Sequence, residues 1–268
     1  AEKSQVFFNE NSVAGRNEKC YDSKRQNKEN VVLIGEDSMS EKVESIKKWF
    51  KKYPYAIAIF YLIFYLSVFS WLEKNVVPKY IIHCKLDEII PFCEVFIIPY
   101  VSWFVYVPAA FIWFKHRGWE DYKKLCLMVF TGLTICLCIY YAFPTGLNLR
   151  LAQKPHDTGF LYNMVHLLRA VDTPTNVCPS IHVMNTVMIF QAVCSLDHLK
   201  HRKMTIAAHF VIMVLICAST VLLDQHSVID VICGIMMSFV IHGCVYKVEW
   251  KEALALKKTV QKKFSENA

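Results

Sequence analysis

VIMVLICASTVLLDQHSVIDVICGIMM, residues 211–237, carries two apolar runs that meet at a short polar break, Asp224-Gln225-His226. The first run reaches back to Met204 and the second forward to Tyr246. Each approaches the ~20 residues a helix needs to cross ~30 Å of hydrocarbon. The stretch therefore reads as two membrane-spanning helices with a polar junction at one membrane face. His226 and Asp230 stand four residues apart, which puts both side chains on one helix face. Asp230 can accept a hydrogen bond from one ring nitrogen of His226 and fix its tautomer. The other nitrogen then keeps a free lone pair, which is how a neutral imidazole becomes a nucleophile.

Working outward, four more runs of similar character occupy residues 55–71, 95–114, 125–143 and 181–196, beside 204–223 and 227–246. Hydrophobic residues make up 54% of the 268, gathered in blocks rather than alternating. The fold expected is all-α: a polytopic membrane protein with a bundle of six transmembrane helices and a short interfacial helix. Residues 1–50 read as a polar cytoplasmic tail, 51–247 as the membrane domain and 248–268 as a basic cytoplasmic tail. Within the first tail no signal-peptide apolar core occurs, so the first span is expected to act as the insertion signal. Met39, before a Ser-x-x-Val-Glu stretch, is a candidate alternative start.

Charge gives the orientation. Segments 41–52, 115–124, 197–203 and 247–263 hold 18 lysines and arginines, whereas the alternate segments 72–94, 144–180 and 224–226 hold 6. Positive residues collect on the cytoplasmic side, so both termini are expected inside, in the cell membrane, with the polar junction outside. Trp49, Tyr53, Trp71 and Trp250 fall near the boundaries, as interfacial aromatics do. The net charge of +7 is accounted for by topology, and the lysines are split among loops rather than forming a nucleic-acid surface. Most of the 11 cysteines lie in apolar runs and no C-x-x-C pair occurs, so they read as small hydrophobes. A bridge among Cys84, Cys93 and Cys178 on the outer side stays open.

Segment 144–180 opens with the turn signal Pro144-Thr145-Gly146. Phe160, Leu161, Met164, Val165, Leu168 and Val171 then recur at helical spacing, with Asn163, His166 and Arg169 off that face. This predicts a short amphipathic helix, either at the outer interface or as a packed connector. Within the spans, His209 and His242 read as interhelical hydrogen-bond partners.

Three outer elements carry ionisable groups. Arg150 stands beyond the third span, His182 at the mouth of the fourth, and His226 with Asp230 at the mouth of the sixth. Charged groups at membrane depth are costly and mark function. Two histidines, an aspartate and an arginine suit phosphoryl transfer: one histidine attacks phosphorus, the other protonates the departing oxygen, and the arginine fork binds phosphate oxygens. A zinc site built from His182, His226 and Asp230 is the rival reading. Neither a metal nor a cofactor is expected in the first.

Cys178-Pro179-Ser180-Ile181-His182-Val183, followed by Ser219 through His226 to Asp230 and Gly234, resembles the second and third motifs of the type 2 phosphatidic acid phosphatase superfamily. The likeness covers roughly residues 50–247. It implies a six-helix bundle and a phosphohistidine on His226, with Asp230 as orienting partner and His182 as general acid. It also implies phosphate binding by Arg150, Ser180 and Ser219. The family's first-motif lysine falls on Phe143, the proline after its arginine on Leu151, the second-motif glycine on Ile181 and the third-motif arginine on Thr220. Similar losses occur in the branch of sphingomyelin and inositol-phosphoceramide synthases, and a less cationic pocket suits a phosphodiester. Asp172, Thr173 and Asn176 are candidates to replace the lost hydrogen bonds, and Asn185 to support His182.

The expected activity is thus a metal-independent lipid phosphatase, with a membrane lipid as substrate and the bilayer as its surroundings. Lipid headgroup transfer is the alternative. A non-enzymatic lipid-binding protein or transporter is the opposing class.

Overall fold

The computed structural model describes residues 53–152 and 159–247, with Ser45 besides. Trp49, Trp250, Met39 and almost all of the two tails expected from the sequence lie outside these residues. The chain divides into two compact units, residues 1–57 and 58–268. In the first, the Ala56 amide donates to Tyr53 O in a single turn over Pro54–Ala56.

The second is a helical bundle. Helices α1 (Ile57–Asn75), α2 (Ile97–Arg117), α3 (Trp119–Ala142), α4 (Phe160–Val171), α5 (Ile181–Cys194), α6 (Arg202–Leu222) and α7 (Val228–His242) follow one another. Two two-residue strands, β1 (Tyr80–Ile81) and β2 (Thr145–Gly146), complete the described elements. Among the described residues, five helices are long and apolar enough to span a membrane: α1, α2, α3, α6 and α7, with short extensions at Glu94 and Tyr246. The protein is an all-α, multi-pass membrane protein.

The run 181–196 departs from its expected length. Its helix, α5, has 14 residues, a rise of about 21 Å, short of the hydrocarbon thickness. It needs no more, because it is the centre of the bundle. Val183 through Ile189 and Gln191 through Val193 are all buried, packed among α3, α6 and α7. Buried on nearly every face, it is a core helix. The irregular backbone before it is satisfied by protein: Tyr140 Oη donates to Pro179 O at 2.6 Å, the Cys178 amide to Thr145 Oγ1 at 3.1 Å, and the Ser180 amide to Asp230 O at 3.1 Å. Non-helical chain is tolerated at such depth where protein groups take up its hydrogen bonds.

Around α5 the other spans present apolar side chains outward. Phe64, Val105, Phe210, Met236 and Phe239 are all at least half exposed, as a lipid-facing surface requires. The expected interhelical partners are present: His209 Nδ1 meets Tyr106 Oη at 2.9 Å, and His242 Nε2 meets Ser195 Oγ at 3.0 Å. Cys84, Cys93 and Cys178 are free thiols.

At one end of the bundle the connections are knitted together. β1 pairs in parallel with β2, Tyr80 opposite Thr145 and Ile81 opposite Gly146, and Gly146 also bridges Thr175. A Cβ on Gly146 would fall 2.8 Å from Pro78 Cβ, so only glycine permits this crossing. Helix α4 lies over the same end. Leu161, Met164, Val165 and Leu168 pack on Ile97, Tyr100 and Leu223, as the spacing predicts. Phe160 and Val171, at the two ends of the expected apolar face, are 78% and 76% exposed. Arg169, expected on the polar face, instead turns inward: its guanidinium donates to Leu223 O at 2.8 Å and lies 3.6 Å from the Asp224 carboxylate.

Candidate active site

The first residues of α7 are held by a reciprocal cap. The Ser227 side chain accepts from the Ile229 amide, while Asp230 Oδ2 accepts from the Ser227 amide at 2.9 Å. Carboxylates are favoured at a helix start by the exposed N–H groups and the helix dipole. The same Oδ2 lies 3.4 Å from His226 Nδ1, long for a hydrogen bond and typical of a catalytic pair that tightens with substrate. With the shared proton placed on Nδ1, Nε2 of His226 keeps its lone pair. Asp230 is fully buried, and its Oδ1 has no partner among the described residues.

His182 enters from the first turn of α5, where Ser180 is the N-cap and its hydroxyl receives the Val183 amide at 3.4 Å. The His182 and His226 ring centroids are 5.8 Å apart. Helices α5 and α7 approach this closely because residue 234 has no side chain. A Cβ there would stand 2.8 Å from Ser180 O. His182 is packed by Trp103, Tyr100 and Phe104 of α2, with centroids at 4.3, 4.8 and 6.1 Å. Neither of its ring nitrogens has a hydrogen-bond partner among the described residues.

Arg150 sits in a short turn, Leu149–Ala152, outside the spans. Its guanidinium donates to Asp172 O and to Oε1 of Gln225, the residue before His226, and its Nε has no partner among the described residues. Burial draws the Arg150 guanidinium down from its ordinary value, opposed by the charges of Asp172 and Asp224. Arg169 is lowered by burial and then by the like charge of Arg150, with Asp224 acting against both. Two cations thus flank the turn that presents His226. Cys178, in the loop before Ser180, is no rival nucleophile: burial and then the charge of Asp230 push its thiol up.

The remaining candidates are placed as follows. Asp172 accepts from Tyr100 Oη at 2.9 Å, and Thr173 donates to Glu73 at 2.6 Å. Asn176 adopts a left-handed conformation (φ 56°), and neither its buried Nδ2 nor the buried Oδ1 of Asn185 has a partner among the described residues. The Ser219 hydroxyl turns back to Ile216 O at 2.6 Å. Thr220, where the resembling motif has arginine, donates to Cys217 O, and its own carbonyl receives the Gln225 and His226 amides, both at 3.0 Å. That position now shapes the turn.

Asp87 was not among the sequence candidates. Its Oδ2 accepts from Ser227 Oγ at 2.7 Å and from the Cys84 amide at 2.8 Å, and its Oδ1 from the Val228 amide at 2.9 Å. Burial alone would raise this carboxyl, but the Val228, Ser227 and Cys84 hydrogen bonds together hold it below the usual carboxylate range. No local signal marks it, since Ser227 is 140 residues away. The Tyr100, Trp103 and Phe104 stripe was more accessible, because its i, i+3, i+4 spacing defines one face of α2.

A family model described as PAP2 superfamily matches residues 148–253. No curated protein and no solved structure matches the chain. The matched segment contains Arg150, Ser180, His182, Ser219, His226 and Asp230, which the bundle collects around one end of α5. Over residues 148–253 the chain is thus similar to the PAP2 superfamily, whose members are phosphatases and phosphotransferases acting on phosphate esters.

Proposed function

We propose that the protein is an integral membrane enzyme that cleaves a lipid phosphate ester through a phosphohistidine on His226, without a metal. The observation that carries this is the 5.8 Å between the His182 and His226 rings with Asp230 behind His226. A phosphorus flanked by two contacts of roughly 3 Å needs a separation of that order. Nε2 of His226 attacks phosphorus, and the P–O bond to the lipid breaks as His182 gives its proton to the departing oxygen. Asp230 takes the Nδ1 proton's hydrogen bond and stabilises the imidazolium that forms. Water, deprotonated by His182, then attacks the phosphohistidine and releases phosphate. Arg150 Nε–H and the Ser180 hydroxyl are the donors for the phosphate oxygens, with Ser219 as a further ligand and Asn185, Asp172 and Asn176 as supports. In this reading the end of the bundle that carries the histidines faces outside and both termini are cytoplasmic, which the distribution of lysines and arginines supports.

Headgroup transfer differs only in the acceptor, a second lipid's hydroxyl in place of water. One observation favours it: Thr220 is built into the turn and adds no cation to the pocket beyond the flanking arginines, which suits a phosphodiester better than a dianionic monoester.

The test is purified full-length protein in vesicles containing a panel of phosphatidic acid and phospholipids, with free phosphate and lipid products followed together. Phosphate release that disappears in His226→Ala, together with acid-labile phosphate trapped on the wild type, is the expected result. Transfer products without free phosphate would select the second reading. Unaltered turnover by His226→Ala would overturn the mechanism.

A further inference from the structure

Between α6 and α7, away from the histidines, a groove of about 910 Å³ runs along the bundle with α5 as its floor. Phe190 and Gln191 of α5, Val214 and Ala218 of α6, and Ile235 and Phe239 of α7 line it, and no Asp, Glu, Lys or Arg does. Its flanks, Val211, Met236 and Val240, are at least half exposed and apolar, so the groove faces the hydrocarbon of a surrounding bilayer.

One lining residue does not belong in such a wall. Gln191 is only 7% exposed, yet neither its Oε1 nor its Nε2 has a hydrogen-bond partner among the described residues. An unpaired carboxamide facing hydrocarbon is unfavourable. A plain acyl chain would leave it so. A charged headgroup would find no counter-ion in this lining and would lose its hydration. What matches Gln191 is one uncharged group that both donates and accepts, and a hydroxyl is the smallest that does. The groove's length adds a direction. Ser195 and His242 stand at the end remote from the candidate site, while Ile90 and Leu222 stand at the near end. A long apolar body fits alongside the phenylalanines with its hydroxyl on Gln191.

We propose that the groove between α6 and α7 is a binding site for an uncharged lipid alcohol of the bilayer, its hydroxyl held by the Gln191 amide. The site is separate from the His182–His226 centre and stands whether or not that centre performs the chemistry proposed above.

The test uses the full chain in phosphatidylcholine nanodiscs containing a photoreactive diacylglycerol or a photoreactive sterol, each paired with its O-acetylated form. Labelled positions are mapped by peptide mass spectrometry. The free alcohol of at least one pair is expected to label the peptides carrying Phe190 and Phe239. Acetylation should cut that labelling about fivefold, the contribution of one neutral hydrogen bond. Gln191→Leu should lower it to the same extent, and Ala218→Phe, which fills the groove from α6, should abolish it. The acetylation arm uses the unaltered chain, so it decides even if a variant fails to fold. Equal labelling by alcohols and acetates, equal labelling by a photoreactive phosphatidylcholine, or a cross-link between two copies across the groove would each overturn the proposal.

Discussion

Asp87 shows how one distant carboxylate holds the turn that presents His226. It receives a hydroxyl and two amides, one of them from the first turn of α7. Hydrogen bonds to a charged acceptor are roughly twice as strong as neutral ones. The His226 turn is therefore anchored from the loop between α1 and α2 as well as from its own cap. Because the folded protein holds this carboxyl below its ordinary value, the group adds stability above the usual carboxylate range, near pH 4. That contribution is lost as pH falls through the folded value. Asp87 is covered but lies shallow in the protein, so solvent screens part of the effect. Asp87→Asn should thus melt below the wild type at pH 7, and the gap should close as the pH is taken toward 3. A gap that stays constant across that range would remove Asp87's charge from the account. In turnover, Asp87→Asn should retain more activity than Asp87→Ala, which leaves Ser227 Oγ and the Val228 amide without their acceptor.

At the scale of elements, the contact between α5 and α7 decides whether the two histidines face each other. Gly234 sits where a Cβ would meet Ser180 O at 2.8 Å, and the obstructing atom is backbone. Gly234→Ala gains about 1 kcal/mol of helix propensity, but overpacking costs about 1–3 kcal/mol, so the net change is unfavourable. The variant should melt at a lower temperature and lose turnover, because α7 can relieve the clash only by carrying His226 away from His182. Wild-type melting and activity would show that the approach of α5 to α7 is not needed. Much of this geometry was legible beforehand. The His226–Asp230 pair is local in sequence, although His226 sits in the turn before the Ser227 cap rather than on the helix face expected, and His182 was readable from its place at the mouth of an apolar run. The length of α5 was not, since an apolar run reads alike whether lipid or protein surrounds it. Asp87 was hidden for a different reason: a loop carboxylate has no periodicity, and its partners are far along the chain. Arg169 misled because helical spacing ranks faces by apolarity, whereas the neighbouring Asp224 and Leu223 carbonyl drew the guanidinium inward.

For the whole molecule, the bundle sorts its connections onto two ends, and charge orients them in the membrane. The connections holding β1, β2, α4 and the 223–227 turn share the end that carries His182 and His226. The segments reading as that end carry 6 lysines and arginines, against 18 for the opposite end. Basic residues near span ends are retained in the cytoplasm during insertion, and the proposed orientation therefore has the histidines at the outer face. Lys79, beside β1, and Lys200, between α5 and α6, are both exposed and mark the two ends. In intact cells a membrane-impermeant maleimide should label Lys79→Cys above the native-cysteine background. Lys200→Cys should be labelled only after the membrane is permeabilised. The reverse pattern would place the candidate site on the cytoplasmic face, and with it the leaflet from which any lipid phosphate must be drawn.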